Sequence, residues 1–295
     1  MKILITGATG RIGFELTEEM VKKGHKIIAT SLNNDLPLMK GVENHKIDFI
    51  RRDDVIRLIK TTKPEVVIHT IALTNVDLCE TDHDIADNVN SGSVQNIADA
   101  CSQLDDIKIV YVSSSFVFDG KQKIFRENDI PNPINYYGKT KLDGEKILQK
   151  SGLGYLILRT DQPYNWPKPW QKPNNITRCI DALKNNKQSK ELIDWYNNPT
   201  FIPNFVDATL KLIEKDKKGI YHLVGHDFIN RYEWSLKIAH MLKKPKHTIL
   251  PINSKELNLP ARRPNANLSN EKVQKDTGIK FFGIDEGLNK MFNKT

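Results

Sequence analysis

Short apolar runs alternate with amphipathic stretches along the first half of the chain. Residues 2–6 predict a strand, and residues 12–23 a helix with Ile12, Leu16, Met20 and Val21 apolar. Residues 25–30 predict a second strand, and a third ends at 46–48. A helix over 53–62 and a buried strand over 66–70 follow. The pattern then predicts one long helix over 84–104, a strand over 108–113, a helix over 137–150 and a strand over 155–159. Strands that are apolar throughout suit a parallel sheet covered on both faces. Parallel neighbours need crossover helices, which are right-handed, and this leads to a doubly wound sheet.

After Arg159 the texture changes. Residues 161–175 are rich in proline, tryptophan and asparagine and predict no regular element, which suits a binding lobe or lid. Later helices are expected over 208–214 and 231–242, and a strand over 220–224. The expected organisation is a dinucleotide-binding domain over 1–160, re-entered by about 200–225. A smaller C-terminal substrate-binding lobe takes 161–199 and 226–295.

The 295 residues carry 39% hydrophobic and 27% charged side chains, an ordinary globular composition. No stretch approaches the roughly 20 apolar residues of a bilayer span, so no membrane is expected. The chain starts directly on a strand-like run without signal-peptide architecture, which points to the cytoplasm. Cys79, Cys101 and Cys179 lack metal-ligand spacing and read as reduced thiols. The net charge of +8 comes from scattered lysines, not from a basic block interleaved with aromatics, and therefore predicts no nucleic-acid partner.

The first strand runs into Thr6-Gly7-Ala8-Thr9-Gly10-Arg11-Ile12-Gly13. Gly7, Gly10 and Gly13 permit a tight turn and let backbone amides reach a pyrophosphate, while the following helix N-terminus favours its charge. This makes the α/β sheet a Rossmann-type dinucleotide-binding fold, with Thr9, Arg11 and Ile12 also at the cofactor. The second strand leads to Thr30-Ser31-Leu32-Asn33-Asn34, without the acid that grips an adenosine ribose, and Asp35 lies far along the loop. Arg11 and Ser31 can instead hold a 2′-phosphate, so NADP(H) is preferred and NAD(H) is the alternative. Asp48 is a candidate for the adenine edge or a helix cap.

Tyr137 and Lys141 lie four residues apart on one helical face. A phenol works as an acid or base at neutral pH only where a neighbouring cation stabilises its phenolate, which Lys141 can do while also holding a nicotinamide ribose. The Ser113-Ser114-Ser115 run places hydroxyls at the carboxyl edge of the sheet, where ligands bind. One of them can hold a substrate carbonyl while Tyr137 protonates it.

The order TGATGRIG, IHTIALTNVD, Val89-Asn90, YVSSSFVFDG, YYGKTK and ILRT resembles the extended short-chain dehydrogenases/reductases. Phe118-Asp119-Gly120, Asn198-Pro199-Thr200 and Ala261-Arg262-Arg263-Pro264 are similar to the dTDP-4-dehydrorhamnose reductase family. The resemblance implies Ser114, Tyr137 and Lys141 as the catalytic set, Ala72 beside the cofactor, and Arg159-Thr160 beside the nicotinamide. It implies Asp77, Ser115 and Arg263 near a nucleotide-sugar. Arg262 and Arg263 can clamp a diphosphate, and Trp166, Trp170 or Trp195 can stack on a base or sugar or pack a small core; Trp166 is taken for the substrate. His69 and His222 read as structural. Ser115-Phe116, Asp161-Gln162-Pro163-Tyr164 and Asn265-Ala266-Asn267-Leu268 depart from the family pattern and leave the sugar open.

The function implied is reduction of a nucleotide-linked 4-keto-6-deoxy sugar. The alternatives are an epimerase that retains NAD, or a non-catalytic NADP-binding regulatory subunit like that of methionine adenosyltransferase. No metal cage is evident, and a homodimer stays open.

Overall fold

The alternation becomes a seven-stranded, wholly parallel sheet in the computed structural model, which describes residues 1–32, 39–104 and 106–293. Its strands are β1 (Lys2–Thr6), β2 (Lys26–Ser31), β3 (Val42–Lys46), β4 (Val66–His69), β5 (Lys108–Ser114), β6 (Gly154–Thr160) and β7 (Gly219–His222), in the order 7-6-5-4-1-2-3. The pleat sends alternate residues to opposite faces. Ile3, Ile5, Val66, Ile68, Val110, Leu156 and Leu158 enter one core with helices Arg11–Lys22 and Ile202–Glu214. Leu4, Val67, Ile109, Tyr111 and Ile157 enter the other, with helices Arg52–Thr62 and Ser93–Cys101. Each fully buried aliphatic contributes about 1.5–3 kcal/mol, so continuous apolar strands are what two-sided covering requires.

β3 ends at Lys46, within the expected 46–48, ahead of a turn in which the Ile50 amide donates to Asp48 Oδ1 (3.1 Å). Two boundaries differ from the sequence pattern for identifiable reasons. The helix expected from 208 starts at Ile202, with Pro203 in its first turn, where a missing N–H costs nothing. The long helix expected over 84–104 is broken by a π turn at Asn88–Gly92. Such wide turns re-aim a side chain. Here Asn90 is turned inward, accepting from the Leu73 amide (2.7 Å) and donating to Thr140 Oγ1 (3.0 Å).

A third core gathers Tyr164, Ile176, Ile180, Phe201, Trp234, Ile238, Leu288 and Met291. Short strand pairs brace it: Ser189–Leu192 with Ile249–Ile252, Tyr196–Asn197 with Ile229–Asn230, and Pro163–Tyr164 with Thr200–Phe201. Among the described residues, no helix is long and apolar enough to cross a membrane.

Candidate active site

The glycine turn is built by close approach. Gly7 has φ +62°, and a Cβ on Gly13 would sit 2.4 Å from the Gly7 carbonyl oxygen, so helix Arg11–Lys22 packs on the turn only without a side chain there. Gly10 donates to the Gly7 carbonyl (2.8 Å) and is the helix N-cap, with no side-chain cap spending the first amides. Ile12 packs on the sheet core. A segment of 165–172 lies across the turn: Trp170 Nε1 (3.1 Å) and Gln171 Nε2 (3.0 Å) donate to the Thr9 carbonyl, and Arg11 donates to the Lys172 carbonyl. Arg11 therefore faces this strap, where burial and Arg178 lower its pKa. Ser31 ends β2, while Asn33, Asn34 and Asp35 lie outside the described residues. Ala72 sits in the loop after β4.

At the carboxyl edge, Ser114 ends β5 in register with Thr160 on β6. Helix Tyr136–Lys150 is capped by Asn135, whose Oδ1 accepts from the Gly138 amide (2.8 Å). A Cβ on Gly138 would lie 2.1 Å from the Phe116 carbonyl oxygen, so this helix abuts the end of β5. That contact brings Tyr137 to Ser114. Burial pushes the Tyr137 phenol up to about 12, and the Ser114 hydroxyl works against that rise. Tyr137 is thus held neutral, as a proton donor must be.

Lys141, one turn on, is only 1% exposed; its Nζ has no hydrogen-bond partner among the described residues and stands 4.2 Å from the centre of the Tyr111 ring. Burial brings its pKa down to about 7, with Glu145 opposing the fall. An enclosed amine without a partner among the described residues fits a ligand hydroxyl such as that of a ribose, and the Thr160 hydroxyl, at the end of β6, is also unpartnered there.

Arg159 does not join them. Its Nε and Nη2 donate to Glu145 (2.9 and 2.7 Å), and Ser113 donates to the same carboxylate (2.6 Å). The reason is the strand pleat, which sends Arg159 and Thr160 to opposite faces. His69 is also structural: both ring nitrogens are engaged, by Thr6 Oγ1 (2.8 Å) and Ser93 Oγ (3.0 Å), and burial lowers its pKa to about 3. His222 is buried beside Arg159.

Beyond Tyr137 the departures cluster. Phe116 meets Tyr137 edge-on at 5.5 Å and Trp195 at 6.3 Å. Arg231 stacks on Trp195 at 4.3 Å. Trp166 lies elsewhere: its Nε1 donates to the Met291 carbonyl (2.8 Å) and its ring packs on Phe292, in the third core. Trp195 is therefore the tryptophan the fold brings to Tyr137's surroundings. Asp77 accepts both Nη atoms of Arg263 (2.7 and 2.6 Å) and the Ala261 amide, which holds its carboxyl below the usual range. This pair ties the short helix Val76–Thr81 to the late Ala261–Pro264 run. It leaves Arg262 and Lys255 as the exposed cations of a cleft of about 330 Å³ that Trp195 and Asp194 also line. A larger groove, about 490 Å³, lies between helices Ser93–Cys101 and Tyr136–Lys150 and holds none of these hydroxyls.

Asp161 and Arg231 are the residues that the sequence pattern did not single out. Asp161 follows Thr160 as Ser115 follows Ser114; it is 3% exposed, and its carboxyl is pushed up to about 6 by burial, against the Asn198 amide and the Ser115 hydroxyl.

The family model for the RmlD substrate binding domain matches residues 1–295. The β subunit of methionine adenosyltransferase 2 from Rattus norvegicus is 29% identical over 280 residues, 92% of this chain and 81% of the relative. The dTDP-4-dehydrorhamnose reductase of Escherichia coli is 28% identical over 315 residues, 100% of this chain and 99% of the relative. Among solved structures, dTDP-4-dehydrorhamnose reductase from Bacillus anthracis in complex with NADP superposes with a TM-score of 0.87 at 24% identity, covering 100% of this chain and 99% of that one.

Proposed function

The chain belongs to the family of the RmlD substrate binding domain, and on that premise we propose that it reduces the keto group of a nucleotide-linked 4-keto-6-deoxy sugar. The observation that carries this reading is Ser114, at the carboxyl edge of the sheet, beside a neutral Tyr137, with the enclosed Lys141 Nζ one helical turn on.

The glycine turn from Gly7 to Gly13, with Thr9, Gly10, Arg11 and Ile12, would hold the pyrophosphate of a dinucleotide. Lys141 and Thr160 would hold its nicotinamide half, and Ser31, Asp48 and Ala72 flank the remainder. NADP(H) is the preferred dinucleotide and NAD(H) the alternative; the NADP complex of the Bacillus anthracis reductase supports this order. Bound there, the reduced nicotinamide supplies the hydride for the keto carbon.

Ser114 donates a hydrogen bond to the keto oxygen and fixes it beside Tyr137. Tyr137 gives its phenolic proton to that oxygen as the carbonyl bond becomes a C–O single bond. The phenolate left behind faces the Lys141 ammonium, whose charge that anion favours, and solvent returns the proton. Arg262 and Lys255 would meet the diphosphate, while Trp195 offers a stacking face. In this reading residues 1–160, re-entered by about 200–225, bind the dinucleotide, and 161–199 with 226–295 form the substrate lobe.

Tyr137→Phe should lower turnover about 10²–10⁴-fold, the usual worth of a positioned acid, with NADPH affinity kept. Turnover within tenfold of wild type would refute the assignment. A regulatory reading is favoured by the likeness to the methionine adenosyltransferase β subunit. In that case Tyr137→Phe would leave dinucleotide binding and any subunit pairing untouched, and wild type would reduce nothing.

A further inference from the structure

We infer that Asp161 and Arg231 form the specificity pair that reads the hydroxyls of the sugar ring; this rests on the sugar-reductase reading above. Asp161 directly follows Thr160, which pairs with Ser114, and its buried carboxyl lies within electrostatic reach of Tyr137. Its Oδ2 accepts from the Asn198 amide (2.8 Å). Its Oδ1 is enclosed beside the Ser115 hydroxyl, which favours the carboxylate, and closes no geometric hydrogen bond among the described residues. Arg231 is complementary. Its Nη2 donates to Gln162 Oε1 (2.9 Å), its plane lies on Trp195, and its Nε is enclosed without a partner.

A buried acceptor and a buried donor left open within electrostatic reach of each other are costly unless a ligand satisfies them. The chain goes to some length to keep them so. Gln162, between the aspartate and Pro163, is held at φ +38°, a left-handed conformation that a non-glycine residue adopts only where its surroundings over-determine it. Here the Gln162 amide oxygen is pinned by Arg231 and by Asn175 Nδ2 (3.1 Å), and its carbonyl by the Thr200 amide (3.3 Å). The Trp195 Nε1 beside Arg231 is unpartnered too.

Acceptor, donor and aromatic face together match a polyhydroxylated ring: one hydroxyl donates to Asp161 Oδ1, and the same or the adjacent oxygen accepts from Arg231 Nε. An anionic sugar would meet a carboxylate there and be disfavoured. Asp161 therefore sets which sugar binds, while Ser114 and Tyr137 do the chemistry.

The test is calorimetric binding of dTDP-rhamnose and of dTDP alone, each with NADP⁺ present. Asp161→Ala should weaken dTDP-rhamnose by at least about tenfold, because a site built around a hydroxyl suffers when its partner is removed, and leave dTDP and NADP⁺ within about twofold. Equal loss for both ligands, or none, overturns the inference. Should Asp161→Ala not fold, wild-type protein with dTDP-rhamnose analogues each lacking one hydroxyl decides. One analogue weaker by about tenfold supports the pair, and all within about twofold overturn it. Wild-type protein that binds dTDP but no dTDP-sugar sinks the reductase reading itself, and the pair's role with it.

Discussion

Gly138→Ala should disable the enzyme without unfolding it. The substitution places a Cβ 2.1 Å from the Phe116 carbonyl oxygen, against the 3.0 Å below which real Cβ contacts essentially do not occur, and the nearest other neighbour is Pro133 Cβ at 3.0 Å. The obstacle is backbone and cannot swing aside. Helix Tyr136–Lys150 must therefore withdraw from the end of β5 by about 1 Å, carrying Tyr137 and Lys141 away from Ser114. A misplacement of about 1 Å in a reacting constellation costs about 10²-fold. Alanine is the better helix former by up to about 1 kcal/mol, which offsets part of the lost packing. The expected result is kcat/KM down about 100-fold, with NADPH affinity falling by less than that, since Lys141 moves with the helix but the glycine turn lies on another element. Wild-type kcat/KM together with an unchanged melting temperature would show that the helix need not touch β5, and would refute the reasoning.

Glu145→Gln keeps the shape but strips the charge that Arg159 faces at 1% exposure. Urea unfolding should show a loss of about 3–5 kcal/mol, as for other broken buried pairs, and a loss under about 1 kcal/mol would mean the pair is dispensable. His69 is held neutral with a folded pKa of about 3 against an ordinary 6.5, so between these values the unfolded chain binds more protons. Its contribution is whole above pH 6.5 and is lost as pH falls, by at most about 1.4 kcal/mol per unit. A His69→Gln variant should flatten the stability slope from pH 6.5 to 5, and an identical slope would count against the assignment. Trp170→Ala removes the strap's bond to the Thr9 carbonyl and its edge contact with Phe14 at 5.2 Å. NADPH should dissociate roughly three- to tenfold faster in stopped-flow fluorescence, whereas an unchanged rate would show that the strap does not gate the cofactor.

The sheet was legible because its inner strands are mostly apolar, a signal that survives without any tertiary information, whereas the edge strand β3, VENHK, shows only at its end. The glycine turn and the Tyr137–Lys141 spacing were legible for a similar reason, since each is local to one loop or one helical turn. The π turn at Asn88–Gly92 was not, because what opens it is Asn90 reaching Leu73 and Thr140, 17 and 50 residues away. Trp166 and Trp195 could not be told apart by composition; only the third core, closed by the last helix, claims Trp166. Asp161 and Arg231 lie 70 positions apart in the numbering and share no motif. The one visible sign was that 161–164 departs from the family pattern. Arg263 carried the opposite risk: its motif suggested a phosphate clamp, yet both of its Nη atoms are bound to Asp77.

The most direct test of the central claim is the loss of reduced-nicotinamide absorbance when the purified protein meets dTDP-4-keto-6-deoxy sugars with NADPH and, separately, with NADH. The account predicts turnover, faster with NADPH, that Tyr137→Phe abolishes. Tight NADPH binding with no turnover on any such sugar would contradict it.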